Sequence, residues 1–167
     1  MPVFRYEDTE GDPLQTNLEP IEPPPLMEVA KAWGLRVRYM GRTSPYLGLY
    51  RHRFEDHPAE ILLATHEEQV FFHELAHAAQ WRVWTDPDNC NKLRLEVTAE
   101  LASCVLARLY GRQDPNEGST YEYICHYCEQ ERKDLPRTLW ALVSDTEKLL
   151  RAIIDTQETL AREEVHA

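Results

Sequence analysis

The sequence predicts an α+β domain, a small and mostly antiparallel sheet followed by helices, and three observations carry that expectation. Three short apolar segments, LRVRYM, YLGLYRH and AEILLAT, are separated by the turn-like GRTSP and FEDHP. Beyond Thr65, apolar residues recur at helical spacing almost to the C-terminus. A chain of 167 residues with 43% hydrophobic content supports one core and not two.

Residues 1–25 hold Pro2, Pro13, Pro20, Pro23, Pro24 and Pro25 among acidic residues, so they are expected to form an extended arm that buries little. The domain then spans 26–167. LMEVAKAWG reads as a short helix with Leu26, Val29, Ala30 and Trp33 on one face and Gly34 as its stop. LRVRYM alternates at period two, as a half-buried strand does, and AEILLAT is a near-continuous apolar run, as a more buried strand would be. Thr65 and Glu68 have the spacing of a capping box, which starts a helix running to about Trp84. TDPDNCN is a loop, and LRLEVTAELASCVLARLYG is a second helix ending at Gly111. Ser119 and Glu122 cap a further helix to about Lys133. Pro136 then opens a long amphipathic helix with Leu139, Leu142, Val143, Leu149, Leu150, Ile153 and Ile154 on its apolar face.

The formal net charge of −11 disfavours nucleic acid and anionic membranes as partners unless the basic residues are segregated. Arg36, Arg38, Arg42, Arg51 and Arg53 do cluster, and the expected role is strand-edge pairing with carboxylates. No apolar run approaches the ~20 residues that cross a bilayer. The N-terminal MPVFRYEDTEGD lacks the pattern of a secretory signal, and four cysteines without one point to reduced thiols and a cytoplasmic setting.

The chemistry concentrates in FFHELAHAAQ, which sets His73, Glu74 and His77 in the spacing H-E-x-x-H. Residues four apart share a helix face, so His73 and His77 can offer two imidazole nitrogens to one Zn2+, with Glu74 placed to act as general base on water. A catalytic zinc needs a third protein ligand. Glu96, in LEVTAELAS, returns over the first helix on an antiparallel second one and is the expected ligand. Glu100, a turn further on, is expected to accept a hydrogen bond from the other nitrogen of a zinc histidine.

FFHELAHAAQ, LEVTAELAS, YEYICHY and SDTEKLL together resemble the C-terminal metallopeptidase domain of ArdC-type antirestriction proteins, which are carried by plasmids and other mobile elements. The wider class is the glutamate-zincins (gluzincins), with H-E-x-x-H followed by a glutamate ligand. The resemblance covers roughly residues 26–155 and implies a zincin-like fold, zinc as cofactor and a protein or peptide substrate. It also matches His73, His77 and Glu96 to the metal ligands, Glu74 to the base and Glu100 to the supporting acid. It further implies that AEILLAT is the edge strand on which extended substrate pairs, an ordinary core strand being the other reading of that segment. Full family proteins carry an N-terminal domain associated with single-stranded DNA binding. Here the Pro-rich arm stands in that place, so no nucleic acid partner is expected through this domain alone.

A peptidase also needs an oxyanion donor, and Tyr121, Tyr123, His126 and Tyr127 are all candidates. Cys125 and Cys128 have C-x-x-C spacing without a second pair, which suits buried thiols better than a metal knuckle. Trp81 and Trp84 either pack in the core or line a cleft, and His52, His57, His66 and His166 are expected in loops or at the surface. Two functions of different class follow: a zinc metallopeptidase, or a metal-bound antirestriction module that occupies its partner without cleaving it.

Overall fold

In the computed structural model, residues 22–41, 46–112, 122, 125, 129 and 135–165 are described. Helix α1 (Met27–Ala32) buries Val29 and Ala30, and the chain leaves it through Gly34, whose φ of 73° suits a residue without a Cβ. Three strands follow: β1 (Arg36–Tyr39), β2 (Gly48–Arg51) and β3 (Glu60–Leu63). Then come α2 (Glu68–Val83), a 3-10 turn over Pro87–Asn89, α3 (Lys92–Leu109) and the long α4 (Leu135–Val165). The class is α+β, as the segment order predicts.

The sheet is mixed and ordered β1-β3-β2, which corrects the expected mostly antiparallel arrangement. β3 runs parallel to β1, with Arg36 opposite Glu60 and Tyr39 opposite Leu63. It runs antiparallel to β2, with Gly48 opposite Leu63 and Arg51 opposite Glu60. β3 is therefore the central strand and cannot serve as the expected substrate-pairing edge. The physical reason is its composition. Ile61, Leu62 and Leu63 are all buried, and the middle of a sheet is where a continuous apolar run is covered best. The outer strands keep alternating patterns and carry the charge. Glu60 lies 3.1 Å from Arg51 and 4.0 Å from Arg38, so two of the clustered arginines pair with a carboxylate as expected. Arg42 lies outside the described residues.

The core forms where the sheet and α1 meet α2, α3 and α4, around Val29, Ile61, Leu63, Phe71, Phe72, Leu75, Leu106, Leu149 and Ile153. α2 begins two residues later than a Thr65 cap would place it. The Thr65 hydroxyl instead accepts from the Glu67 N–H at 3.2 Å, forming a turn ahead of the helix. α3 is capped by Asn91, whose side chain accepts from the N–H groups of Leu93 and Arg94. Ala76 of α2 meets Ala99 and Ala102 of α3, and these small side chains bring the two helices together. α4 buries Leu142, Leu149 and Ile153, but Val143, expected on the same face, is 52% exposed. Asp145 of α4 is buried and paired with Arg94 of α3. No helix among the described residues is long and apolar enough to cross a membrane.

Candidate metal centre

α2 and α3 run antiparallel with a register that sets Gln80 beside Leu95 and Thr98, His77 beside Glu96, and His73 beside Glu96 and Glu100. His73 Nε2 and His77 Nε2 lie 3.1 Å apart, and Glu96 Oε2 is 3.4 Å from the first and 3.6 Å from the second. Bonds of about 2.0–2.1 Å to a tetrahedral ion place neighbouring ligand atoms about 3.3 Å apart. The three atoms thus have the spacing of three corners of a zinc tetrahedron, and two nitrogens with one carboxylate oxygen suit that ion chemically.

The far nitrogen of each ring fixes the near one. His73 Nδ1 lies 3.1 Å from Glu100 Oε2, and a carboxylate only accepts, so Nδ1 carries hydrogen. His77 Nδ1 lies 2.9 Å from Gln80 Oε1. The orientation of that amide is set by its other end. Gln80 Nε2 donates to the Leu95 carbonyl at 2.7 Å and to the Thr98 hydroxyl at 2.9 Å, and the carbonyl can only accept. Gln80, 1% exposed, therefore turns its oxygen to His77 and holds that ring with Nδ1 protonated. With both Nδ1 atoms occupied, two Nε2 lone pairs and a carboxylate oxygen converge on one point, which demands a proton or a cation.

Electrostatics follow from this convergence. Burial works against charging His73, but hydrogen bonds to Glu100 and Glu96, with the nearby Glu74 charge, outweigh it and push its pKa up to about 10. The two imidazoles close beside it hold the Glu96 carboxyl well below the usual carboxylate range. Glu74 stands outside the ligand set. It is 7% exposed, and burial raises its pKa while both histidines and the Tyr50 backbone N–H act in the opposite direction.

β2 packs directly over Glu74 at Gly48. A Cβ on Gly48 would stand 2.5 Å from Glu74 Oε1 and 2.7 Å from Val70 Cγ1, so only glycine admits the strand this close. A cleft of about 340 Å³ opens here, lined by Tyr46, Gly48, Val70, His73, Glu74 and Glu100.

All five residues singled out in the sequence, His73, Glu74, His77, Glu96 and Glu100, meet at this one place. Gln80 and Gly48 belong to it and were missed. Gln80 gave a weak signal, a polar residue on an otherwise apolar helix face, and Gly48 gave none, because its neighbour lies on another element. Tyr121, Tyr123, His126 and Tyr127 lie outside the described residues, as do Cys128 and His166. Of the helix expected from Ser119, only Glu122, Cys125 and Glu129 are described, and each is helical. Trp84 packs on the core with Arg94 over its ring, whereas Trp81 stacks on His52 beside a second cavity. No protein-family model, curated protein or solved structure matches the chain.

Proposed function

We propose that the chain is a zinc-dependent metallopeptidase of the gluzincin type, with His73, His77 and Glu96 as metal ligands and Glu74 as general base. The observation that carries it is the convergence of two Nε2 atoms and one carboxylate oxygen at tetrahedral spacing, each imidazole locked from behind. Zinc held by these three residues would supply a Lewis acid for the scissile carbonyl and for water. Glu74 takes a proton from the attacking water and delivers it to the amine nitrogen as the C–N bond breaks. Its burial against Gly48 favours holding that proton between the two steps. Glu100 and Gln80 keep the histidines in the tautomer whose Nε2 lone pairs face the metal.

β2, an outer strand, takes the role first expected of β3. Just before β2, the Leu47 carbonyl points toward the β3 side, where it accepts from the N–H of Ala64, the residue after β3. By strand alternation the main-chain groups of Gly48 and Tyr50 then face the other way, toward the cleft, where an extended peptide can pair with them. The Tyr50 N–H already serves Glu74, which leaves those of Gly48 for substrate. The partner in this reading is a protein or peptide, and the resemblance to ArdC-type proteins makes antirestriction in the cytoplasm its setting.

Metal content and peptide cleavage test this together. Wild type and Glu74→Gln should each carry one zinc per chain and His77→Ala should lose it, while Glu74→Gln lowers cleavage of a peptide library by roughly 10²–10⁴-fold. A wild type that takes up no zinc at neutral pH removes the metallopeptidase reading. A zinc-loaded wild type that cleaves nothing leaves the non-cleaving module in its place.

A further inference from the structure

A second cavity, of about 390 Å³, lies between the far half of α2 and the end of the sheet where Arg36, Glu60 and Arg51 align. Its walls include Trp33, Tyr50, His52, Arg53, Trp81 and Arg82. Ala78, Trp81 and Arg82 follow His77 within about a turn and a half of helix. Tyr50 belongs to both places, its backbone N–H on Glu74 and its residue in the cavity wall.

Two features distinguish this cavity. Carboxylates outnumber lysines and arginines 29 to 18 in the chain, yet the lining holds two guanidinium groups and no Asp or Glu. Neither Arg53 nor Arg82 forms an ion pair among the described residues. The second feature is planar surface. His52 lies parallel to Trp81 with ring centroids 4.0 Å apart, and the Arg82 guanidinium sits 4.9 Å over the Trp33 ring. A guanidinium stacked in this way keeps its N–H edge for a planar acceptor. Burial holds the Tyr50 hydroxyl protonated, against the opposing charge of Arg82, with a pKa pushed up to about 12, so it too can donate.

We propose that this cavity is a binding site for a carboxylate carried on an aromatic or apolar body the size of one amino-acid residue. Arg82 and Arg53 engage the carboxylate, bidentately where geometry allows, and the tryptophan walls cover the apolar body. The carboxylate can be the C-terminus of a peptide or an acidic side chain within one. The proposal concerns binding, and it stands whether or not the metal centre hydrolyses anything.

Trp33 and Trp81 make tryptophan fluorescence a direct readout, with calorimetry for stoichiometry. The test uses the full chain in the presence of EDTA, so that no metal can capture the acid. N-acetylphenylalanine should bind saturably and at least tenfold more tightly than N-acetylphenylalaninamide. Arg82→Gln should weaken it at least tenfold. Because Arg82 and Arg53 are both exposed, folding should survive either change, and Arg53→Gln gives an independent second variant. N-acetylaspartylphenylalaninamide, whose C-terminus is blocked, separates the two sources. Binding equal to that of the free acid assigns a side-chain carboxylate, and binding as weak as that of the simple amide assigns the C-terminus. Equal affinity for acid and amide overturns the proposal, as does no binding of either, or an acid affinity that neither arginine variant changes. Tighter binding of adenosine monophosphate than of the acid overturns the carboxylate assignment.

Discussion

At the residue scale, the centre depends on which nitrogen of each imidazole carries hydrogen. Glu100 settles this for His73, and the Gln80 amide settles it for His77 because the Leu95 carbonyl dictates how that amide is turned. Gln80→Leu removes the acceptor and leaves an apolar side chain of similar size. His77 can then adopt the tautomer whose Nε2 is protonated and useless to a metal. Zinc affinity should fall about 10–100-fold by competition with a chromophoric chelator. The folded state should lose about 0.5–1.5 kcal/mol, since the Gln80 bonds to His77, Leu95 and Thr98 go while the Leu95 carbonyl keeps the Thr98 hydroxyl. Unchanged zinc affinity in this variant would mean that Gln80 serves packing alone.

At the scale of elements, the decisive contact is β2 on α2. Gly48 lets the strand descend onto Glu74, and the Tyr50 N–H then holds that carboxylate. In Gly48→Ala the new Cβ meets Glu74 Oε1 and Val70, so the carboxylate or the strand must shift. The expected cost is about 1–3 kcal/mol of stability. A general base displaced by about 1 Å should also lower peptide cleavage on the order of 10²-fold. Zinc content should stay at the wild-type level, because the atoms nearest that Cβ belong to Glu74 and Val70 and not to His73, His77 or Glu96. Loss of zinc together with activity would show instead that β2 supports the metal ligands themselves.

At the scale of the whole molecule, the proposed centre would couple protons, metal and folding. His73 has its ordinary pKa of 6.5 when unfolded and about 10 in the folded, metal-free chain. A raised pKa of this kind stabilises fully below 6.5, and the contribution is lost as pH rises toward 10. Glu96 is depressed, so its contribution is present above its ordinary 4.5 and is lost as pH falls below that. The urea midpoint of the metal-free protein should therefore decline from pH 6 to pH 9. Zinc must displace the proton shared at the Nε2 atoms, so its binding should strengthen with pH and should raise the midpoint more at pH 8 than at pH 6. Midpoints independent of pH over that range, with and without zinc, would contradict this coupling.

What was legible in the sequence, and what was not, divides by the range of the interaction responsible. H-E-x-x-H and the four-residue step from Glu96 to Glu100 are readable because helical periodicity is local. Residues four apart share a face whatever the rest of the chain does, and Gly34 and Gly111 mark helix ends by the same local chemistry. Composition alone also put Ile61, Leu62 and Leu63 in a buried strand. Strand order is not local. β1 and β2 could have paired as a hairpin, and only the burial of β3 in the middle decided otherwise, turning the sheet mixed and making β2 the outer strand beside the cleft. The Thr65 box misled for a local reason: its hydroxyl accepts from the nearer Glu67 N–H. Gln80, Gly48 and the arginine-lined cavity acquire meaning from partners on other elements, Leu95, Glu74 and Trp33 respectively. The sequence by itself determined which side chains could bind a metal, because that depends on residue type and helical spacing. Only the tertiary structure decided which lone pairs face it and which strand borders it, because both depend on contacts between segments far apart in the chain.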